Sequence, residues 1–186
     1  MPRKERHIRQ TKDRVIAAMF KLLTQKNFDA ITVGDLLEEA ELSRRTFYRY
    51  FDNKDAILKD YFDYFIARYV ALKKETPTNE TLEDRIVTSL DFFLKHREDL
   101  RLLIFNQKFH LLLLSFNKST DQIYNTLHIT SRENKNELQR DIGQLIIGGY
   151  FNIVCNWLME ENPRPSRAVA SNLMSFFSQL NEVEKF

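Results

Sequence analysis

One stretch, Thr32 to Lys54 (TVGDLLEEAELSRRTFYRYFDNK), fixes the kind of architecture that the rest of the chain must serve. Thr32 has the chemistry of an N-cap, Asp35 stands three residues on, and Val33, Leu36, Leu37 and Ala40 then recur at i, i+3, i+4 and i+7. That spacing predicts a short amphipathic helix. Leu42 supplies an apolar residue in the turn, and Ser43 is the next N-cap, opening a second helix to about Phe51. Phe47 and Phe51, at i and i+4, can pack on the first helix, which leaves Arg44, Arg45, Thr46, Tyr48, Arg49 and Tyr50 for the other face.

Two arginines in a first helical turn oppose the helix dipole, at a cost of about 0.3–1 kcal/mol each. A polyanion against that helix would more than offset it, because phosphate is drawn to arginine forks and to free backbone N–H groups. Arginine also reads guanine with a bidentate pair in the major groove, and a tyrosine hydroxyl reaches phosphate at similar range. The bland alternative is a solvated charged face. Cap, stripe, turn and aromatic spacing agree in pointing to DNA.

With those residues in hand, the stretch Thr11 to about Leu58 resembles the DNA-binding domain of the TetR/AcrR family of transcriptional regulators. The match rests on Val15, Ile16, Ala18, Leu23, Phe28 and Ile31-Thr32-Val33, then on Ala40, Leu42-Ser43, Thr46, Phe47-Tyr48, Tyr50-Phe51, Lys54, Asp55 and Leu58. It covers about a quarter of the chain. The family often has glycine at the positions of Asn27 and Glu41. Asparagine tolerates a left-handed backbone, whereas glutamate there costs about 1–2 kcal/mol if the turn requires it.

The fold class expected is all-α. Only four glycines and four prolines occur in 186 residues, beside abundant Leu, Phe, Lys and Glu, which disfavours strands and tight turns. The domains expected are a basic flexible arm at 1–10, a helix-turn-helix head at 11–54, and a helical body at 55–186 for ligand binding and dimerisation. Residues 1–54 hold 12 Lys+Arg against 8 Asp+Glu, and the remainder 16 against 18, so a basic head precedes a slightly acidic body. Such asymmetry suits phosphate neutralisation. Cys155 is the single cysteine, so no internal disulfide is possible and a reducing, cytoplasmic setting is expected. No apolar run is long enough to span a membrane.

Along the chain, Arg3, Lys4, Arg6 and Arg9 lack a periodic apolar face and read either as an arm touching phosphates or the minor groove, as in related regulators, or as a solubilising tail. Thr11 is the expected cap of the first helix, to about Lys26. Asn53 caps a long connector helix to about Lys74, and the resemblance makes Lys54 a phosphate contact. ETPTNE marks a loop, and Thr81 opens the next helix, which breaks near His96 to Glu98. Residues 99–116 are too apolar for a surface and are expected to form the buried centre. Asn106, Gln107 and His110 interrupt them, and their partners are either core hydrogen bonds or a cavity ligand. The polar run 117–136 is expected to be a loose link. Glu137 to Met159 is a long helix apolar on more than one side, with Gly148 and Gly149 at its middle, and Ser166 opens the last helix.

The DNA-binding set is therefore Arg44, Arg45, Thr46 and Tyr48 for base edges, with Arg49, Tyr50 and Lys54 for phosphates, and Thr32 counted with them. Hydrophobic bulk suggests Phe93, Phe105, Phe109, His110 and Tyr150 as effector-pocket residues. The resemblance implies a homodimer on a four-helix interface, drawing on Gly148, Gly149, Phe151, Trp157, Leu173, Phe176, Phe177 and Leu180. The alternative is that the two terminal helices are ordinary core of a monomer. GGYFNIVCNWLMEENPRPS resembles the subgroup that includes the dihydroxyacetone-kinase co-activator.

The function expected is a dimeric regulator, a repressor in the family's usual mode, that binds a pseudo-palindromic double-stranded operator and is released by a small molecule the sequence does not name. The rival is a helical co-activator or protein-binding adaptor on the same fold. No enzyme is expected: there is no glycine-rich phosphate loop, no nucleophile elbow and no paired Cys/His. No cofactor or metal is expected either, since His7, His96, His110 and His128 are never three or four apart.

Overall fold

The structure, a computed structural model, describes residues 3–75, 80–118 and 137–183, with the backbone alone at 138–140, 142 and 180–183. Every regular element among the described residues is helical. They are α1 (Arg3–Leu23), a one-turn 3-10 helix (Phe28–Ala30), α2 (Val33–Glu39), α3 (Arg44–Tyr48), α4 (Lys54–Glu75), α5 (Leu82–Lys95), α6 (Arg97–Phe105), α7 (His110–Lys118), α8 (Glu137–Met159) and α9 (Ser166–Val183). The loose link expected at 117–136 lies, from residue 119 on, outside the described residues, and so does the middle of the ETPTNE loop.

The chain divides into two compact units. The first is residues up to Ala67 together with Leu102–Ser115; the second is Arg68–Arg101 with the chain from Phe116 onward. Within the first unit the turn before α2 donates one hydrogen bond to the α6–α7 corner, Phe28 N–H to Asn106 Oδ1 at 2.7 Å, and Lys108 of that corner pairs with Asp29 at 3.6 Å.

Residues 3–10 are the opening turns of α1 rather than a flexible arm. Arg, Lys, Glu and Gln are good helix formers, and Glu5 lies in the first turn, where an acid is favoured. Arg9 is also drawn in: it pairs with Asp13 at 2.5 Å and Asp60 at 3.4 Å, and its guanidinium lies 3.8 Å from the Tyr64 ring centre. Lys12 reaches the same Asp60 carboxylate. Thr11 is consequently not a cap. Its hydroxyl donates to the His7 carbonyl one turn back at 3.0 Å, which is how a threonine is tolerated inside a helix.

The core of the first unit is built from Val15, Ile16, Met19, Leu22 and Leu23 of α1, Leu36 of α2, Phe47 and Phe51, and Ile57, Leu58 and Phe62 of α4, all buried. Each such side chain contributes about 1.5–3 kcal/mol by leaving water, so the three short elements after α1 are held by packing rather than by propensity. Residues 99–116 are not wholly interior. Leu103, Phe109 and Leu112 are buried, but Phe105 is 64% exposed and Leu114 is 51% exposed.

The second unit has an aromatic centre. Tyr69, Phe92, Phe93, Phe116 and Phe151 are buried and meet edge-on or tilted, except that Phe93 and Phe116 stack, with Phe116 and Phe151 ring centres 4.9 Å apart. The Tyr69 hydroxyl lies 3.0 Å from the Ser89 hydroxyl, to which Tyr150 donates at 2.7 Å. Burial pushes the Tyr69 phenol up to about 12 and raises Tyr150 as well. Arg97 closes the C-terminal end of α8, donating through Nε to the Leu158 carbonyl at 3.0 Å and through Nη2 to that of Glu160 at 2.5 Å. α9 is fastened to α5 by Arg167 on Asp84 at 2.9 Å and by Ser171 on Glu83 at 2.6 Å.

Candidate nucleic-acid interface

The reading face starts from two caps. At α2, Asp35 N–H donates to the Thr32 hydroxyl at 3.1 Å while Thr32 N–H donates to the Asp35 carboxylate at 2.7 Å, a reciprocal capping box. The Thr32 hydroxyl donates to the same carboxylate oxygen at 2.8 Å, and Lys26 pairs with it at 2.7 Å. Lys26, then the Thr32 amide and hydroxyl, hold the Asp35 carboxyl down to about 2. Thr32 has thus given both of its hydrogens to Asp35. It is the cap of α2.

Between α2 and α3 the chain turns at Glu41, whose φ is 49°. This is the left-handed conformation for which glycine is frequent at this position in the family. Asn27, at φ −63°, does not need it. The turn is closed by Leu42 N–H on the Leu37 carbonyl at 3.0 Å and braced from α1 by Arg14, which donates to the Ala40 carbonyl at 2.6 Å. Lys21 of α1 adds an ion pair to Glu39 at 2.6 Å.

Ser43 caps α3, accepting from Thr46 N–H at 3.2 Å. The helix is shorter than expected and ends at Tyr48; Tyr50 and Phe51 N–H both donate to the Phe47 carbonyl, at 2.9 and 3.0 Å, in a tightened last turn. Phe47 and Phe51 are buried with ring centres 5.8 Å apart, so the apolar face is committed to the core. The opposite face stands open. Arg44 and Arg45 are exposed, and among the described residues neither guanidinium is held in an ion pair. Tyr48 is 51% exposed, Thr46 and Tyr50 are half-buried, and exposed Arg49 stacks over Tyr50 at 4.8 Å.

Lys54 does not share that face. Its ammonium donates to the carbonyls of Phe28 at 2.8 Å, Asp29 at 3.0 Å and Ile31 at 3.1 Å, and lies 4.6 Å from the Phe28 ring centre. An ammonium has three hydrogens, and all three are engaged. The side chain expected to hold a phosphate holds the backbone turn before α2 instead. Sequence reasoning missed Arg14 and singled out Asn106 without its partner Phe28, since neither a brace onto a carbonyl nor a contact across 78 residues leaves a local pattern.

The other expected sites fare unevenly. The five pocket residues divide between the units: Phe105, Phe109 and His110 in the first, Phe93 and Tyr150 in the second. His110 is exposed, with Nδ1 2.9 Å from the Gln107 carbonyl oxygen, and Gln107 is an exposed residue at φ 56°. Asn106, half-buried, has protein partners at both ends of its carboxamide, Phe28 N–H and the Leu102 carbonyl. Of the interface residues, Phe151 and Trp157 are core. Phe151 packs on Phe93 and Phe116, and Trp157 is fully buried with its indole N–H on the Arg164 carbonyl at 2.8 Å. Phe176 is 53% exposed, Leu173 and Phe177 are half-buried, and of Leu180 only the helical backbone is described.

A capped helical pair on a buried aromatic face, with a second helix presenting arginine and tyrosine outward, is a helix-turn-helix head of the DNA-binding class. Residues 15–61 match the family of bacterial regulatory proteins, tetR family, and the head belongs to it. The uncharacterized HTH-type transcriptional regulator YerO of Bacillus subtilis (strain 168) is 24% identical over 162 residues, 78% of this chain and 56% of YerO. The dhaKLM operon transcriptional activator DhaS of Lactococcus lactis subsp. lactis (strain IL1403) is 36% identical over 58 residues, 31% of each chain. The chain thus spans about half or less of the length of these curated relatives.

Among solved structures, a TetR transcriptional regulator from Streptococcus agalactiae 2603V superposes with TM-score 0.62 at 20% identity, covering 95% of this chain and 96% of that one. The dihydroxyacetone kinase operon activator DhaS superposes with TM-score 0.58 at 17% identity, covering 95% and 97%. These show that the fold, head and helical body together, is that of the tetR family. The proteins of this class are transcriptional regulators rather than enzymes.

Proposed function

We propose that the chain is a dimeric transcriptional regulator that places α3 of each subunit in the major groove of a pseudo-palindromic operator. The observation that carries the reading is the division of α3 into a buried face, Phe47 and Phe51, and an open one, Arg44, Arg45 and Tyr48. Arg44, Arg45, Thr46 and Tyr48 meet base edges; Arg49 and Tyr50 meet phosphates. Two-fold symmetry requires half-sites about 34–36 Å apart, or a multiple of that.

The partner that completes the dimer is a second copy. A Cβ built on Gly148 or Gly149 meets nothing within 4 Å, and the neighbouring Leu145 is 76% exposed. With exposed Ile146 on the same helix and Phe176 on α9, this supports an apolar hairpin face for a four-helix interface. A small-molecule effector bound in the second unit would alter operator affinity only through differential affinity for two states of the protein. Work on chromosomal DNA places the protein in the cytoplasm, and no described helix is long and apolar enough to cross a membrane.

Release of the operator by a ligand makes the protein a repressor. The likeness to DhaS, an activator by name, supports the opposite sign and a co-activator role. Binding to DNA upstream of its own and neighbouring genes, at two salt concentrations, tests the reading. One fragment should be preferred and lost steeply with salt. Arg44→Ala with Arg45→Ala should abolish the preference while the helical content stays; retained preference would remove α3 from the reading role. A reporter fused to the preferred fragment gives the sign.

A further inference from the structure

The turn Phe28–Ala30 is the lead-in to the helix-turn-helix, and it cannot hold itself. Its own hydrogen bonds are Ala30 N–H on the Asn27 carbonyl at 3.0 Å and Ile31 N–H on that of Phe28 at 3.1 Å, a single 3-10 turn. Ile31 is followed directly by Thr32, the cap of α2, so any tilt of the turn is carried into α2 and α3. What holds it comes from two distant parts of the chain. Lys54 takes the carbonyl side, as described. The amide side belongs to Asn106, whose Oδ1 accepts from Phe28 N–H at 2.7 Å.

Asn106 is itself locked. Its Nδ2 donates to the Leu102 carbonyl at 2.7 Å, one turn back in α6, so both ends of the carboxamide are engaged. The corner that presents it is stiff: Gln107 is left-handed, and Lys108 N–H closes back on the Leu103 carbonyl at 2.8 Å. That closure delivers Lys108 to the same turn, its ammonium 4.6 Å from the Phe28 ring centre and 3.6 Å from the Asp29 carboxylate. Phe28 is 2% exposed, so its amide has no water to turn to if Asn106 is lost.

We propose that Asn106 is a positioning residue for operator reading: from the α6–α7 corner it fixes the turn that sets the register of α2 and α3. This rests on the DNA-binding reading above. Arginine forks on base edges demand geometry, whereas charge-driven binding to any duplex does not. Loss of Asn106 therefore weakens selection of the operator more than it weakens binding to DNA as such.

The experiment uses the full-length protein, with the fragment that the wild type prefers and a scrambled duplex of equal length as probes. Asn106→Leu removes the acceptor; Asn106→Asp keeps it. Asn106→Leu should cut the ratio of specific to non-specific affinity by about tenfold or more, and Asn106→Asp, which keeps the acceptor but sets a carboxylate oxygen against the Leu102 carbonyl, should cost less than the leucine variant. Val154→Ala, in the core of the second unit, serves as a destabilised control that should leave the ratio unchanged. Hydrogen exchange at the Phe28 amide should quicken in the leucine variant alone. An unchanged ratio in Asn106→Leu, or the same loss in Val154→Ala, overturns the positioning role while leaving the regulator standing. A wild type that prefers no fragment overturns both.

Discussion

Arg14 donates to the carbonyl of Ala40 at 2.6 Å, so the first helix grips the second at its C-cap, one position before the backbone turns left-handed at Glu41. The grip explains how a glutamate is tolerated there. The turn is held by a charged hydrogen bond from outside rather than by the preference of its own residue. The Glu41 carboxylate, 3.7 Å from the same guanidinium, adds little because both groups are largely exposed. Glu41→Gly should therefore stabilise the protein by up to about 1 kcal/mol, the left-handed strain less the entropy of glycine. Arg14→Met should cost about 1 kcal/mol, and more when combined with any loosening of the turn. Urea denaturation of the two variants measures both. A glycine variant less stable than the wild type would mean that the turn is not strained.

Lys54 separates two roles that a binding assay alone would confuse. A phosphate contact contributes about one unit to the slope of log affinity against log salt, and its removal lowers that slope. An ammonium engaged on three carbonyls contributes none. Lys54→Met is expected to weaken operator binding and to lower the melting temperature, with the salt slope kept. Arg49→Ala, on the exposed face, should instead lower the slope by about one with the melting temperature kept. A fall in slope for the Lys54 variant would return it to the phosphate set.

How much of this was legible in the chain follows from which interactions are local. Thr32 with Asp35, Ser43 with Thr46, Asn53 with Ala56 and Thr81 with Asp84 lie three residues apart, and each is a cap as the sequence reading expects. The bounds of α8, Glu137–Met159, are likewise those read from the apolar run. The first helix starts earlier than the cap chemistry of Thr11 suggests, and the Arg9 and Lys12 pairs with Asp60, about fifty residues on, are a support for its opening turns that no local pattern shows. The resemblance makes Lys54 a phosphate contact, and Thr32 is counted in the DNA-binding set; what each bonds in the structure depends on carbonyls and carboxylates that spacing alone does not place. Phe151 and Trp157 carry the same apolar signal as Phe176, and periodicity does not distinguish a face turned to the core from one left bare.

That last distinction is measurable. Phe176→Asp puts a charge on an exposed face and should leave a folded chain that sediments as a monomer at concentrations where the wild type is a dimer. Phe151→Ala removes a ring packed on Phe93 and Phe116 and should cost about 3–5 kcal/mol of stability, before any effect on assembly. Sedimentation with parallel thermal melts separates the two. A Phe176 variant still dimeric would move the interface elsewhere.

The capping box at α2 gives an acid signature. Asp35 is held down to about 2 by Lys26 and Thr32, below its ordinary value of 3.8. A carboxylate with a depressed folded value stabilises fully above the unfolded value and loses that contribution as pH falls through the folded one. Asp35→Asn, which keeps an acceptor for the Thr32 amide but no charge, should melt below the wild type at pH 6. The gap should close between pH 4 and pH 2. A gap independent of pH would mean that the charge contributes nothing.

At the alkaline end the slope of stability against pH has the same sign, although there the charged form is the costly one. Lys73 is buried, donates to the Arg85 carbonyl at 2.6 Å, and is pulled down to about 8 chiefly by burial, which the Glu80 charge only partly offsets. A base whose folded value lies below its unfolded 10.5 leaves the unfolded chain binding more protons between those values, so the protein gains stability as pH rises through that window. Below pH 8 the buried ammonium is a standing cost. Lys73→Met fills a similar volume without the charge, and variants of this kind are often stabilising by about 1–4 kcal/mol. The methionine variant should melt above the wild type at pH 7, with the advantage shrinking toward pH 10 as the wild-type amine sheds its proton. If Lys73→Met melts below the wild type at pH 7, the bond to Arg85 outweighs desolvation, and the lysine is there to hold α4 against α5.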